Sequence, residues 1–467
     1  MKKTKNILFC AFAAGMPILN VSVSTAEAFQ KPNVIYIMAD DLGIGDLGCY
    51  GQRIIKTPAI DRLAINGIRF AQHYAGCTVS APSRCSLMTG KHTGHSFIRG
   101  NKGVINKEGN KFDYPLADAE VTVGEIMKRH GYATACIGKW GMGGPNTEGH
   151  PNNQGFDYFF GYLGQGNAHR YYPRFLYENN TRIDLNEKVY SHDLIMEKAL
   201  GFIEENAGNP FFLYLTPTIP HADLILPEGQ LGDYEGVLCE KPFLGGNYTA
   251  QLKPRATFAA MVSRLDRGVQ QVVDLLRKKG LLKNTIVIFT SDNGTHKEGG
   301  HDPDTFDSNG PFRGYKRDMY EGGIRTPFIV SWPGVIPAGT VSYHVSAFWD
   351  FLPTMCDLIG EPIPVSSDGI SYLPTLRGKG EQKKHDYLYW EFHEQGGKQA
   401  ILKDNWKLIK LKVDTPLKSK FELYNLNADP GERMNVASQY PEKVEEMCHL
   451  LELAHTPNSL YPFAFEE

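Results

Sequence analysis

Short, wholly apolar runs that end in charged or polar clusters dominate the hydropathy pattern of this chain. Asn33–Ala39 runs into Asp40, Asp41 and glycines at 43, 45 and 48. Thr285–Ser291 runs into Asp292-Asn293-Gly294. Residues 210–215 lead to Pro220-His221, residues 134–138 to Lys139, and residues 327–332 form a fifth such run. Continuous apolar runs of this length predict strands buried on both faces. Segments of helical period lie between them. Residues 121–130 stop before Gly131. Residues 191–206 carry Leu194, Ile195, Ala199, Leu200 and Ile203, and residues 256–279 carry Met261, Leu265, Val269, Val272, Val273 and Leu276 on one stripe before Gly280. The alternation predicts an α/β fold, a large mixed and mostly parallel sheet with helices on both faces. Its site gathers at the carboxyl ends of the strands. The last hundred residues change pattern. Segments 387–392, Lys398–Lys403, Trp406–Leu411 and 421–426 read as short strands, followed by a helix over Pro441–Leu453. This predicts a small C-terminal antiparallel sheet with a helix, and a division into a large domain over 29–365 and a subdomain over 366–467.

Composition narrows the class. With 467 residues, 42% hydrophobic and 22% charged, the chain is neither disordered, collagenous nor coiled coil. A net charge of -3 gives no basic footprint for nucleic acid. No apolar run reaches the roughly 18 residues that span a bilayer. Lys2, Lys3 and Lys5, the apolar run 7–19 and Ala26-Glu27-Ala28 form an export signal over residues 1–28. The expected location is therefore the periplasm, with a lipid-anchored surface or secreted form (Cys10 the lipid site) as the lesser alternatives. Removing the signal leaves a net charge of about -5 and seven cysteines, an odd count whose spacing shows no disulfide framework. Scattered thiols with at most one bridge are expected.

The densest chemical signal is Ser80-Ala81-Pro82-Ser83-Arg84 running to Gly90-Lys91. Pro82 suits a first helical turn and Gly90 a helix end, which sets Ser80 just before a helix N-terminus. Backbone N–H groups and the helix dipole favour an anion there, and Arg84 lies one turn on, on the same face. Capping is the ordinary use of such a serine. Asp40, Asp41, Asp292 and Asn293 offer three carboxylates and an amide oxygen at two strand ends. All-oxygen ligation suits calcium or magnesium rather than zinc. Lys139, His221, Arg313 and Lys316 follow strands or sit in a Gly-rich loop. Together with a metal they describe a site for a compact oxyanion.

These residues resemble the signature of the type I sulfatase family, within the alkaline phosphatase superfamily. The family pattern of Cys or Ser, any residue, Pro, Ser, Arg, two residues, Leu, any residue, Thr, Gly runs unbroken from Ser80 to Gly90. Asp40-Asp41, Ser291-Asp292-Asn293-Gly294, Glu321-Gly322-Gly323-Ile324-Arg325 and the C-terminal Trp406-Lys407-Leu408 and Leu423-Tyr424-Asn425-Leu426 blocks match in order. The resemblance implies an alkaline phosphatase-like fold. It implies that a sulfatase-maturing enzyme oxidises Ser80 to formylglycine (3-oxoalanine), whose hydrate is the nucleophile. Asp40, Asp41, Asp292, Asn293 and residue 80 would hold Ca2+, with Mg2+ the second choice. Arg84 would stabilise the hydrate. Lys139, His221 and Lys316 would bind sulfate, with His221 protonating the leaving alcohol. The family often has a histidine after Gly-Lys-Trp that contacts formylglycine. Gly141 stands there in this chain, and His296, ahead of His301, is the expected replacement.

Substrate contacts lie outside that motif set. His169 and Arg170, beside Tyr171 and Tyr172, suit sugar hydroxyls and ring faces. Arg313, His296 and Glu394, the last flanked by His393 and Gln395, would complete the wall. The expected substrate is a sulfated glycan attacked by an exo-acting carbohydrate sulfatase. A phosphate or phosphonate ester hydrolase of the same superfamily and a non-catalytic glycan-binding relative are the alternatives.

Overall fold

The computed structural model describes residues 31–105 and 111–466, and the export signal over residues 1–28 lies outside these described residues. Ten strands form the main sheet in the order Thr340–Ser342, Ile68–Phe70, Phe328–Ser331, Thr285–Ser291, Asn33–Ala39, Phe211–Thr216, Ala133–Lys139, Tyr158–Tyr162, Phe175–Glu178, Thr181–Asp184. The five central strands, from Thr285–Ser291 to Tyr158–Tyr162, are all parallel. The run around 328 departs from its four look-alikes. It pairs antiparallel with Thr285–Ser291, so its carboxyl end points away from the site. An apolar run records burial on both faces and carries no information on direction.

Alternation along each strand feeds two cores. Ile35, Ile37 and Ala39 face the helices Pro58–Ile65, Ser191–Glu205 and Pro254–Lys278. Val34, Tyr36 and Met38 face Ser80–Thr89, Val123–Arg129 and Phe351–Ile359. Asp266, inside the helix Pro254–Lys278, accepts the N–H groups of Ala59 and Ile60 at 2.8–3.1 Å and so caps the helix Pro58–Ile65 from a distance in sequence. A carboxylate at a helix N-terminus contributes about 1 kcal/mol.

The C-terminal strands Leu388–Phe392, Lys398–Lys403, Trp406–Leu411 and Lys420–Asn425 form a separate antiparallel sheet. The helix Pro441–Leu453 covers one face through Met447 and Leu451. The other face packs Trp390, Ala400 and Ile409 onto Tyr74, Val79 and Trp349 of the main body. This sheet therefore buttresses the chain that enters the Ser80 helix. A buried ion cluster ties the same seam: Lys407 lies 2.9 Å from both Glu321 and Glu432. The seven described cysteines are free thiols. Among the described residues no helix is long and apolar enough to cross a membrane.

Candidate active site

Strand register builds the centre of the site. Ala39 pairs with Ser291 at the end of two parallel strands, so the residues that follow each strand meet. The Asp41 N–H bonds Asp292 Oδ1 at 3.0 Å, and Asn293 Nδ2 donates to Asp41 Oδ1 at 2.7 Å. Asp41 itself sits in the left-handed region at φ 62, a conformation Asp tolerates at a cost of about 1 kcal/mol. Asp40, Asp41, Asp292 and Asn293 are all fully buried. Burial and the neighbouring Asp40 raise the Asp292 pKa, against Arg84 and Lys139. The amide oxygen of Asn293 is buried with no partner. Three carboxylates and one orphaned amide oxygen at these strand ends have the chemistry of ligands for a hard divalent cation such as calcium, and Asp40, Asp41 and His221 offer atoms within 4.8 Å of one another.

Ser80 reaches this cluster from the other side. It is the first residue of the helix Ser80–Thr89, one position further in than the sequence pattern suggests, because Val79 is still extended and its carbonyl closes the first turn with the Ser83 N–H. The Ser80 hydroxyl does no capping. It donates to Asp40 Oδ1 at 3.3 Å and accepts from Lys139 Nζ at 3.1 Å. Lys139 also holds both Asp40 oxygens, at 2.8 and 3.0 Å. Arg84, fully buried, bonds Asp292 Oδ2 and the Lys139 carbonyl, each at 2.9 Å. Both cations and both strand ends are thus tied to residue 80.

A second cationic group faces Asp41. Lys316 Nζ lies 2.8 Å from Asp41 Oδ2 and 3.0 Å from His221 Nε2. Burial works against the ammonium, but Asp41 and Glu298 outweigh it and raise the Lys316 pKa. Burial, then Lys316 and His169, push the His221 pKa well down. His221 Nδ1 donates to the Ala222 carbonyl, so Nε2 presents its lone pair to Lys316. The proton between these two residues rests on Lys316. Tyr171 fixes this segment by donating to the Thr218 and His221 carbonyls, at 2.9 and 2.7 Å.

Three residues around this pair were not legible as candidates. Glu298 accepts from Tyr248 at 2.8 Å, lies 3.3 Å from Lys316 and pairs with Arg317 at 2.6 Å. His169, half-buried, stacks on Tyr248 at 5.7 Å and meets His221 edge-on at 4.4 Å. Glu298 sits two residues past His296 in a loop already flagged. Tyr248 and Arg317 come from irregular segments whose sequence has no period to read.

The other expected contacts divide. Arg170 is exposed beside His169. Glu394 lies close enough to Arg317 and Cys77 to perturb both, which sets it near the same rim. Gln395 is spent on Lys398, and His393 on Glu391 and Phe463. Arg313 is not brought to the site. Its guanidinium lies on the Tyr320 ring and bonds Tyr424 and the Glu432 carbonyl, packed against the C-terminal sheet. His296 does not replace a histidine at 141. Its Nδ1 accepts from the Glu298 N–H and its Nε2 bonds the Pro220 carbonyl, so both nitrogens hold backbone.

The sulfatase family model matches residues 32–361. A model described as N-sulphoglucosamine sulphohydrolase, C-terminal, matches residues 311–455. The N-acetylgalactosamine-6-O-sulfatase of Bacteroides thetaiotaomicron is 30% identical, over 93% of this chain and 95% of that protein. Human N-acetylgalactosamine-6-sulfatase is 29% identical, over 92% and 86%. The crystal structure of Ps i-CgsB in complex with k-i-k-neocarrahexaose superposes with a TM-score of 0.76 at 28% identity, covering 91% of this chain and 92% of that one. The phosphonate monoester hydrolase of Agrobacterium radiobacter, at 19% identity, TM-score 0.65 and coverage of 91% and 95%, shares the fold alone.

Proposed function

This chain belongs to the type I sulfatase family and is a sulfuric ester hydrolase; we propose that it removes O-sulfate groups from glycans, using calcium and a formylglycine made from Ser80. The observation that carries the reading is the chain of buried contacts from Lys139 through Ser80 and Asp40, across Arg84 to Asp292, and on to Asp41, Asn293 and Lys316. A sulfate ester carries spread negative charge, and fixed cations at its oxygens stabilise the further charge of in-line displacement.

Asp40, Asp41, Asp292 and Asn293 would hold the calcium, which would supply charge neutralisation to the bound sulfate. A formylglycine at position 80 would supply an oxygen nucleophile there, held by Asp40 and Lys139. Arg84 and Lys139 fix residue 80 against Asp40 and Asp292. Lys316 and His221 face the leaving oxygen: the proton held on Lys316 Nζ passes to the alcohol, and the His221 Nε2 lone pair positions that ammonium. His169, Arg170, Tyr248, Arg317 and Glu394 supply the ring faces and charged groups that meet the sugar. The names of the two galactosamine sulfatases and the neocarrahexaose bound to the structural neighbour support a carbohydrate sulfate as the class. The segment 1–28 supports export to the periplasm, with a maturing enzyme acting on Ser80 before or during passage.

The test is a panel of defined O-sulfated mono- and disaccharides, assayed with protein coexpressed with a maturing enzyme and checked for conversion of Ser80 by mass spectrometry. Sulfate release from one sugar class supports the reading. Fully converted protein that turns over phosphate or phosphonate esters faster than every sulfate ester would overturn it.

A further inference from the structure

We propose that Gln165 is a positioning residue for the nucleophile, its carboxamide holding an oxygen at residue 80 from a space that Gly141 leaves open. The inference rests on the conversion of Ser80 argued above.

Past Lys139, the chain stays zipped to the segment that leads into Gln165: the Trp140 N–H bonds the Tyr162 carbonyl at 2.9 Å and the Gly141 N–H the Leu163 carbonyl at 3.0 Å. Gly141 has φ +81, which L side chains rarely adopt. A Cβ there would lie 2.4 Å from Gln165 Nε2 and 3.8 Å from Arg84 Cδ. The volume a side chain at 141 would need is therefore filled by the Gln165 carboxamide, next to Arg84. The Gln165 N–H is anchored on Asp113 Oδ2 at 3.0 Å.

Two donors in this spot lack partners. Gln165 Nε2 and Arg84 Nε are both buried with no hydrogen bond. Arg84 is fully buried, and its other two nitrogens already hold Asp292 and the Lys139 carbonyl. An orphaned buried donor costs about 1–3 kcal/mol, and native proteins keep such groups chiefly where a ligand or reacting group supplies the acceptor. The missing acceptor follows from chemistry. The single oxygen of Ser80 is already satisfied by Asp40 and Lys139. A hydrated aldehyde carries a second oxygen on the same carbon, and that oxygen needs donors of its own. Gln165 Nε2, against Gly141, and Arg84 Nε, one turn past residue 80 on its helix, are unpartnered donors, and the Tyr214 hydroxyl also faces Arg84. An amide, unlike an imidazole, holds that oxygen without taking up a proton.

Three measurements on the full mature chain test this. In converted protein matched for formylglycine content, Gln165→Leu lowers kcat on an aryl sulfate on the order of 100-fold and leaves KM within about threefold. An aminooxy probe labels the residue 80 aldehyde on the order of 10-fold faster, since losing a hydrogen bond of about 1.4 kcal/mol shifts hydrate towards aldehyde. In unconverted protein, Gly141→Ala lowers Tm clearly more with Gln165 present than in a Gln165→Ala background, since the two side chains compete for one space. If Gln165→Leu fails to fold, Gln165→Asn, which withdraws the amide by one methylene, carries the same labelling test. A raised KM with unchanged kcat, unchanged labelling, or strictly additive Tm changes each overturns the proposal. The last arm needs neither conversion nor turnover. Faster labelling without turnover of any sulfate ester would leave this inference standing and bring down the functional reading instead.

Discussion

Replacing Asp292 by asparagine separates charge from shape at the centre of the site. The side chain keeps its size and its one oxygen can still accept from Arg84, now at 2.9 Å, but its amide nitrogen then faces the Asp41 N–H, and one of three buried carboxylates is lost. Two effects follow. Without metal, Arg84 loses its closest counter-charge and keeps only Asp40, at 3.9 Å. Weakening a buried charge-assisted bond costs about 2 kcal/mol. With metal, the donor set falls from three charges to two. Charge count tunes the affinity of calcium sites, and the loss is on the order of 100-fold in Kd. At a calcium concentration about 1,000-fold above the wild-type Kd, binding stabilises wild type by about 4 kcal/mol but the variant by only about 1.4 kcal/mol. For the unit Lys31–Glu467, unfolding entropy scales to roughly 0.9 kcal/mol per kelvin. Calcium should then raise the wild-type Tm by about 4–5 °C and the variant Tm by about 1.5 °C. The assay is scanning calorimetry of chelated protein with and without added calcium. A variant that keeps the full wild-type increment at this and tenfold lower calcium would refute the assignment of Asp292 as a ligand.

Three further outcomes are expected. Ser80→Ala abolishes sulfate release while Tm stays within about 2 °C, because the two groups the hydroxyl bonds, Asp40 and Lys139, still hold each other; turnover above a few per cent in that variant contradicts the mechanism. Lys407→Met strands Glu432 as a buried carboxylate and leaves Glu321 with Arg325 and Tyr74, and chemical denaturation should show a loss of about 3–5 kcal/mol; a loss below about 1 kcal/mol would mean that the cluster does not tie this seam. Burial pushes the Asp266 carboxyl up to about 6, against the bonds from Ile60 and Ala59. Its folded pKa lies above the unfolded value of about 3.9, so its contribution is fully present below about pH 4 and is lost as pH rises through about 6. Wild-type stability measured against Asp266→Asn by urea titration should therefore fall by up to about 3 kcal/mol across that window, and a flat difference between pH 4 and 7 would refute the shift.

Much of this protein is legible in one dimension. Buried strands, amphipathic helices and the change of pattern after residue 365 are local signals, and the strands Lys398–Lys403 and Trp406–Leu411 and the helix Pro441–Leu453 stand where their patterns end. Ser80, Asp40, Asp41, Asp292, Asn293 and Lys139 could be picked out because each sits at an element end, where side chains are released from packing to do chemistry, and Arg84 because it lies one turn past Ser80. What the sequence could not carry is direction and meeting. Phe328–Ser331 is as apolar as its parallel neighbours yet runs the other way, since burial is blind to polarity of the chain. Arg313 and Arg317 are loop cations four residues apart. Only the backbone decides that Arg317, with its N–H on the Thr78 carbonyl, reaches Glu298, while Arg313 packs on Tyr320. Gln165 and Tyr248 matter only because distant segments set them beside Gly141 and His169. The sequence by itself determined which chemical groups are available and on which elements they ride. The tertiary structure alone decided which of them share one buried space, because that depends on strand register and loop path, to which no local pattern corresponds.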